Sequence, residues 1–467
     1  MLLPYLDELS VHPADHGGDL GALQRVGMSP ERFARRLNAE ASELGLAQRI
    51  DPKTPYKWFR GSMPRSPWPT LASAVLSAEL GQAVSVEAFG WSTASSAILT
   101  VPADSGLLLP WTAEGALLAA TEVMEIGTMD RRIFLRLAGT SLTGPALEWL
   151  LAQPGGSGDA VGGRRVQHAH IDAIEAITDQ LRRMDDQLGG GAVLDLARSH
   201  VRYVLNLLRH NSYSATIGNR LYGAAGELLR LGGWLSFDAG RQAQARRYWL
   251  AALRAAHVAG DRALGANVLG FMSCQAKDLA QFDEAIKLAV AARQGYGGAS
   301  PQVTAILNLR VAQAYAQTGD ATACHEAIDV AYGVLGNPSP ESGDPAWSYW
   351  LDKAQVNEQV GYCSIRLGDW TQARTHLHSA LRLQSEESSR EGALRQALLA
   401  VTYARQGEPE QACEVAGRAV AILSREVESD RCVGHIRGVQ EALKPYRTVG
   451  AVSDFNERVS RLLGAAV

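Results

Sequence analysis

The sequence lacks a G-x-x-x-x-G-K-[ST] stretch, any C-x-x-C pair, and any uninterrupted apolar run of about 18 residues. The first absence removes the usual phosphate-cradling loop, and the second removes the usual paired-thiol redox or zinc signature. The third removes a membrane-spanning helix, so no membrane association is expected. The chain starts "MLLPYLDELSVHPADHGG", with acidic residues where an export signal carries basic ones, so a cytoplasmic protein is expected. Five cysteines, Cys274, Cys324, Cys363, Cys413 and Cys432, are odd in number and widely spaced. In a reducing compartment they read as small buried hydrophobes. His168/His170 and His376/His378 stand two apart, which points each pair to different sides of a helix and not to a shared metal. With no nucleophile–base pair or metal-ligand spacing, neither an enzyme nor a cofactor is expected.

What is present is a soluble composition over 467 residues, 46% hydrophobic and 20% charged, with a net charge of -4. That length exceeds one compact core and points to two or three domains. The charge argues against a protein coated in nucleic acid and leaves room for a local basic patch. One such patch exists: Arg25 to Arg65 holds nine Lys/Arg against four Asp/Glu.

From about Leu221 onward the sequence repeats. Gly240, Ala280, Gly319, Gly368 and Gly407 recur at intervals of 39, 40 or 49 residues, and the long interval holds the insertion "GNPSPESGDPAW". Seven positions before each anchor stand Gly233, Ser273, Ala312, Gly361 and Ala400, all small. Five positions after stand Ala245, Ala285, Cys324, Ala373 and Ala412, and twelve after stand Ala252, Ala292, Ala331, Ala380 and Ala419. Nine after stand Trp249, Ala289, Ile328, Leu377 and Ala416, all apolar. Small residues at fixed places on successive helices let those helices approach closely, as stacked hairpins require. Upstream, two more helices divided by Gly189-Gly190-Gly191 are expected to cap the series, with Ile171, Ile174, Ile177 and Leu181 on one inward face. The Gly-rich run Pro154 to Gly163 reads as a flexible linker.

The repeats resemble tetratricopeptide-type repeats with long helices, carried by the small residues, by Tyr315 and Tyr403 on first helices, and by the second-helix alanines. The period exceeds the usual ~34 residues of that family, and its Trp and closing Pro are mostly absent. The expected fold is all-α, ending in an α-solenoid of helical hairpins whose groove, lined by the first helices, suits a peptide, small-molecule or protein effector.

Near the N-terminus, Ser29 with Pro30 marks a helix start, and Phe33, Leu37 and Ala41 share its apolar face. In "IDPKTPYKWFRGSMPRSPWP", Asp51 reads as an N-cap, Pro52 as the first helical residue and Gly61 as the stop after Arg60. Lys53, Lys57 and Arg60 then share one face, while Trp58 anchors another. A further helix, "WPTLASAVLSAELG", places Leu71, Val75 and Leu76 inward.

These residues resemble a lambda-repressor-like (Xre-type) helix-turn-helix domain from about Asp19 to Trp91. The resemblance implies binding of double-stranded DNA, with Lys53, Thr54 and Lys57 facing the major groove and Arg60 and Arg65 nearer the phosphates. The stretch "ASELGLAQRI" exceeds the family's turn of about four residues, so either the preceding helix is longer or the turn is enlarged. Between the two regions, Thr112 is expected to cap a connecting helix. A second follows around "MDRRIFLRLAGT", where Phe134, Leu135, Leu137 and Leu142 line one side. The Arg131-Arg132 pair there resembles a twin-arginine export signal, but 128 residues precede Met129, and such signals act from the N-terminus.

The implied layout is a helix-turn-helix domain at 1–92, a helical linker at 93–163 and a repeat domain at 164–467. It resembles actinobacterial transcriptional regulators of differentiation and antibiotic production, and is similar in architecture to peptide-sensing quorum regulators. The resemblance implies a homodimeric regulator. The rival expectation is a repeat-type interaction adaptor without sequence-specific DNA binding.

Overall fold

A left-handed backbone angle needs glycine or a strained substitute, and such angles fall at each of the five anchors that the repeat predicts. In the computed structural model φ is 71° at Gly240, 57° at Ala280, 76° at Gly319, 79° at Gly368 and 84° at Gly407. The structure describes residues 28–43, 49–60, single positions from 62 to 76, 109–125, 143–152, 156–336, 343–385, 389–425, 427 and 429–465. Among these, every regular element is a helix, and two isolated bridges, Ala160 with Tyr213 and Arg165 with Ser212, are the extended pairings. The chain divides into two units, 1–100 and 101–467.

The N-terminal unit contains α1 (Pro30–Glu43) and α2 (Thr54–Phe59). The Ser29 hydroxyl accepts from the Arg32 N–H at 3.3 Å, which caps α1 as expected. Phe33, Leu37 and Ala41 are fully buried, as are Leu71 and Leu76, and Val75 is nearly so.

The C-terminal unit begins with α3 (Ala113–Glu125) and α4 (Thr143–Leu151), then α5 (His168–Leu188) and α6 (Gly190–His210). Five hairpins follow: α7 (Ala215–Asp238) with α8 (Gln242–Ala259), α9 (Arg262–Asp278) with α10 (Phe282–Gly295), and α11 (Pro301–Thr318) with α12 (Ala321–Gly336). The last two are α13 (Lys353–Leu367) with α14 (Trp370–Leu383) and α15 (Ser389–Arg405) with α16 (Pro409–Leu423). The chain closes with α17 (Asp430–Leu443) and α18 (Gly450–Ala465). Side chains at the helix starts take up backbone N–H groups that have no partner within the helix. Asp261 accepts from Leu264 at 2.8 Å, Ser300 from Val303 at 3.1 Å and Asp352 from Gln355 at 2.7 Å.

The fixed small positions lie at the hairpin contacts. All ten alanines and cysteines at the five-after and twelve-after positions are fully buried. In two hairpins a glycine seven before the anchor faces a large residue nine after it. A Cβ on Gly233 would overlap the Trp249 indole, and one on Gly361 would stand 2.9 Å from Leu377 Cγ. The five cysteines are buried free thiols.

Two expectations change here. Ile171, Ile174 and Leu181 are buried on α5, but Ile177 is 47% exposed. The Gly-rich segment expected to be a flexible linker is hydrogen-bonded: Ala160 N–H reaches Tyr213 O at 2.9 Å, and Ser157 N–H reaches Asn219 Oδ1 at 2.9 Å. The helices assigned to the connection also join the C-terminal unit, where α3 packs on α6 and α8 and α4 packs on α10. The Arg131 segment, with Phe134, Leu135, Leu137 and Leu142, lies outside the described residues.

Candidate functional site

Two places bring chemistry-bearing side chains together, one in each unit. In the first, α2 sorts its residues by face. Trp58 and Phe59 are buried, 6.4 Å from Trp68 and 6.3 Å from Phe33 between ring centroids. Lys53, Lys57 and Arg60 are exposed and Thr54 is half-buried. The aromatic anchors therefore leave Lys57 on the outer side of one short helix, with Lys53 and Arg60 exposed at its two ends. Arg65 lies outside the described residues.

Two contacts that the sequence did not signal fix α2 against α1. The Asn38 side chain donates to Ile50 O at 2.9 Å and accepts from Ile50 N–H at 2.9 Å. The Tyr56 hydroxyl donates to Glu31 at 2.6 Å, which lowers the carboxyl's pKa and raises the phenol's.

The start of α2 needs correction. Asp51 does not cap the helix; its carboxylate accepts from Lys53 N–H at 2.8 Å, two residues on, in an Asx-type turn. The helix starts at Thr54, with Pro55 in its first turn instead of Pro52. At the other end Arg60 and Ser62 N–H groups both reach Lys57 O, at 3.2 and 2.9 Å. The basic face is therefore shorter than the spacing implied: Lys53 and Arg60 flank the helix, and Lys57 stands within it.

The second place is a cavity of about 370 Å³ in the C-terminal unit. The first helices of the hairpins, α7, α9, α11, α13 and α15, supply its wall together with α17 and α5. Consecutive first helices pack on one another, and the series returns on itself where α5 meets α15 and α7 meets α17. The groove expected along the first helices is thus a cavity that α17 and α5 also wall, and α5 is part of that wall as well as a cap.

Charged pairs from distant helices close it. Arg390 bonds Asp185 at 2.7 Å and Glu391 at 3.0 Å, Arg395 bonds Glu358 at 2.9 Å, and Arg431 bonds Asp238 at 3.2 Å. The Trp234 indole donates to Asp185 at 2.9 Å, and Arg390 and Arg431 stand 5.3 and 5.1 Å from its ring centroid. Burial pushes the Asp185 carboxyl up to about 6 against the pull of Arg390. Lys277 is held by Asp278 at 3.0 Å and stands 4.3 Å from the Tyr362 ring centroid.

Two arginines depart from this pairing. Arg230 is 4% exposed, its nearest carboxylate is Glu227 at 4.0 Å, and its Nε and Nη2 have no hydrogen-bond partner. Burial, aided by the charge of Arg182, brings its pKa down to about 10. Arg310 has no ion pair among the described residues; it reaches Gln359 Oε1 at 3.5 Å and stacks near Phe271 and Trp350. The described residues contain no cluster of three or more His, Cys, Asp or Glu able to hold a metal ion. No described helix is long and apolar enough to cross a membrane.

Residues 21–92 match the family model described as the SP15 N-terminal domain. The description names a domain and no activity. No curated protein matches the chain.

Proposed function

We propose that the protein is a cytoplasmic, DNA-binding transcriptional regulator that acts as a homodimer. Its N-terminal unit is a helix-turn-helix domain of the lambda-repressor-like kind, and its C-terminal unit is a tetratricopeptide-like α-solenoid that senses an effector. The observation that carries this reading is the sorting of α2: Trp58 and Phe59 point into the core while Lys53, Lys57 and Arg60 stand exposed. Cations held at fixed separation by buried aromatics suit phosphate and base-edge contacts. Lys53, Thr54 and Lys57 read the major groove in this account, and Arg60 with Arg65 contacts the phosphates. One module makes few base contacts, so a dimer on a two-fold site reinforces them. The left-handed turns at the five anchors and the buried small residues between hairpins support the solenoid. An effector in the cavity would shift the population competent to bind DNA.

The test is genome-wide immunoprecipitation followed by a gel shift on the recovered fragments. A discrete site is expected, lost in Lys53→Ala plus Lys57→Ala with the helical circular dichroism unchanged. The six residues of α2 make a short reading helix and favour a second interpretation, a repeat-type adaptor without sequence-specific DNA binding. Absence of any selective site at moderate salt would establish that reading.

A further inference from the structure

We infer that the cavity binds a small organic anion with a flat apolar portion, its acidic group held by Arg230 and Arg310. This rests on the effector-sensing part of the function proposed above and names the ligand class.

The pairing within the wall carries the argument. Asp185, Glu358, Glu391 and Asp278 each have a cation within 2.7 to 3.0 Å. These four acids are thus partnered, with Arg390 serving both Asp185 and Glu391, while Arg230 and Gln359 keep donors without partners. Arg230 is buried with two unpartnered nitrogens and only a 4.0 Å approach to Glu227, which Arg182 also engages. A buried cation with so little compensation costs several kcal/mol unless an anion arrives. Gln359 supplies a second orphan: its Oε1 accepts from Arg310 at 3.5 Å and Gln313 at 3.3 Å, while its Nε2 is buried without a partner. Guanidinium and amide N–H groups can only donate, so the missing partner is an acceptor, and opposite two arginines it is an anionic one.

Position and size complete the class. Both guanidinium carbons stand 5.7 Å from the Phe271 ring centroid, so one aromatic ring ties the two donors to a single region. Trp234 and Trp350 line the same space and give it aromatic surface for a flat apolar group. A volume of about 370 Å³ lies near the lower end of the roughly 300–1,000 Å³ typical of small-molecule sites, which favours a small molecule over a peptide.

The experiment is isothermal titration of the full chain, without DNA, using phenyl phosphate and indole-3-carboxylate. Indole, benzylamine and inorganic phosphate serve as the neutral, cationic and ring-free comparisons. Saturable one-to-one binding of at least one aryl anion is expected, weaker by about tenfold or more in Arg310→Gln and in Arg230→Gln. Arg310 is the half-exposed partner, so its variant reports even if replacement of buried Arg230 disturbs folding. The inference is overturned if neither aryl anion saturates, or if indole or benzylamine binds as tightly. It is also overturned if inorganic phosphate matches phenyl phosphate, or if folded Arg310→Gln binds like the parent. Because no DNA is present, failure here leaves the DNA-binding reading standing, and a failed gel shift leaves this result standing.

Discussion

Asp185 on α5 and Arg390 on α15 stand 205 positions apart in the chain and meet at 2.7 Å, both almost fully buried. This pair joins the start of the helical series to its fifth hairpin and so closes the cavity wall. Arg390→Met would leave the Asp185 carboxylate buried opposite no cation, at a cost of about 3–5 kcal/mol. Adding Asp185→Leu removes the stranded charge, and the double variant is expected to be more stable than the sum of the two single losses implies. Chemical denaturation of the four proteins measures the coupling.

Ala280 is the one non-glycine residue with positive φ among those described, at 57°. Ala280→Gly relieves that strain but adds freedom to the unfolded chain, so a gain of up to about 1 kcal/mol is expected. Gly368→Ala is the reverse case: φ is 79° and the added Cβ meets nothing within 4 Å. With no steric clash, its expected loss of about 1 kcal/mol is the conformational strain net of the reduced freedom of the unfolded chain. Opposite signs at two equivalent turns, read from thermal or urea unfolding, are the outcome to look for.

His257 is buried with its Nδ1 unpartnered, and burial together with the nearby Arg262 charge lowers its pKa from 6.5 to about 4. The unfolded chain thus takes up a proton that the folded one refuses. Stability from this group is complete above pH 6.5 and is lost as pH falls toward about 4, by up to ~3 kcal/mol. Asp185, raised from 3.8 to about 6, acts in the opposite sense between those values. His435, which burial and the Arg431 charge also bring down to about 4, acts in the same sense as His257. Denaturation at pH 7.5, 6 and 5 is therefore expected to show a decline that His257→Gln lessens, and an equal decline in the variant would remove His257 as a source.

The repeat could be read from sequence because its requirements leave residue signatures. A left-handed turn selects Gly, as at four of the five anchors, and close helix approach selects Ala, Cys or Ser. The paired change at Gly233 and Trp249, where a small residue receives a large one, obeys the same packing rule. The cavity could not be read this way: Asp185, Arg230, Arg310 and Arg390 come from four helices, and no local spacing links them. Ile177 was misplaced because it sits at the edge of its apolar stripe, about 120° around the helix from Ile171 at 100° per residue. The N-cap reading of Asp51 failed for a different reason. Asp favours helix caps and Asx turns alike, and only the backbone after Pro52 decides between them.

Fluorescence anisotropy of the full chain on its recovered DNA fragment, across a series of salt concentrations, gives the slope of log affinity against log salt. If Lys53 and Lys57 touch the DNA, their double alanine variant weakens binding and lowers that slope by about two. An unchanged slope and affinity in the folded variant would contradict the assignment of this face to DNA.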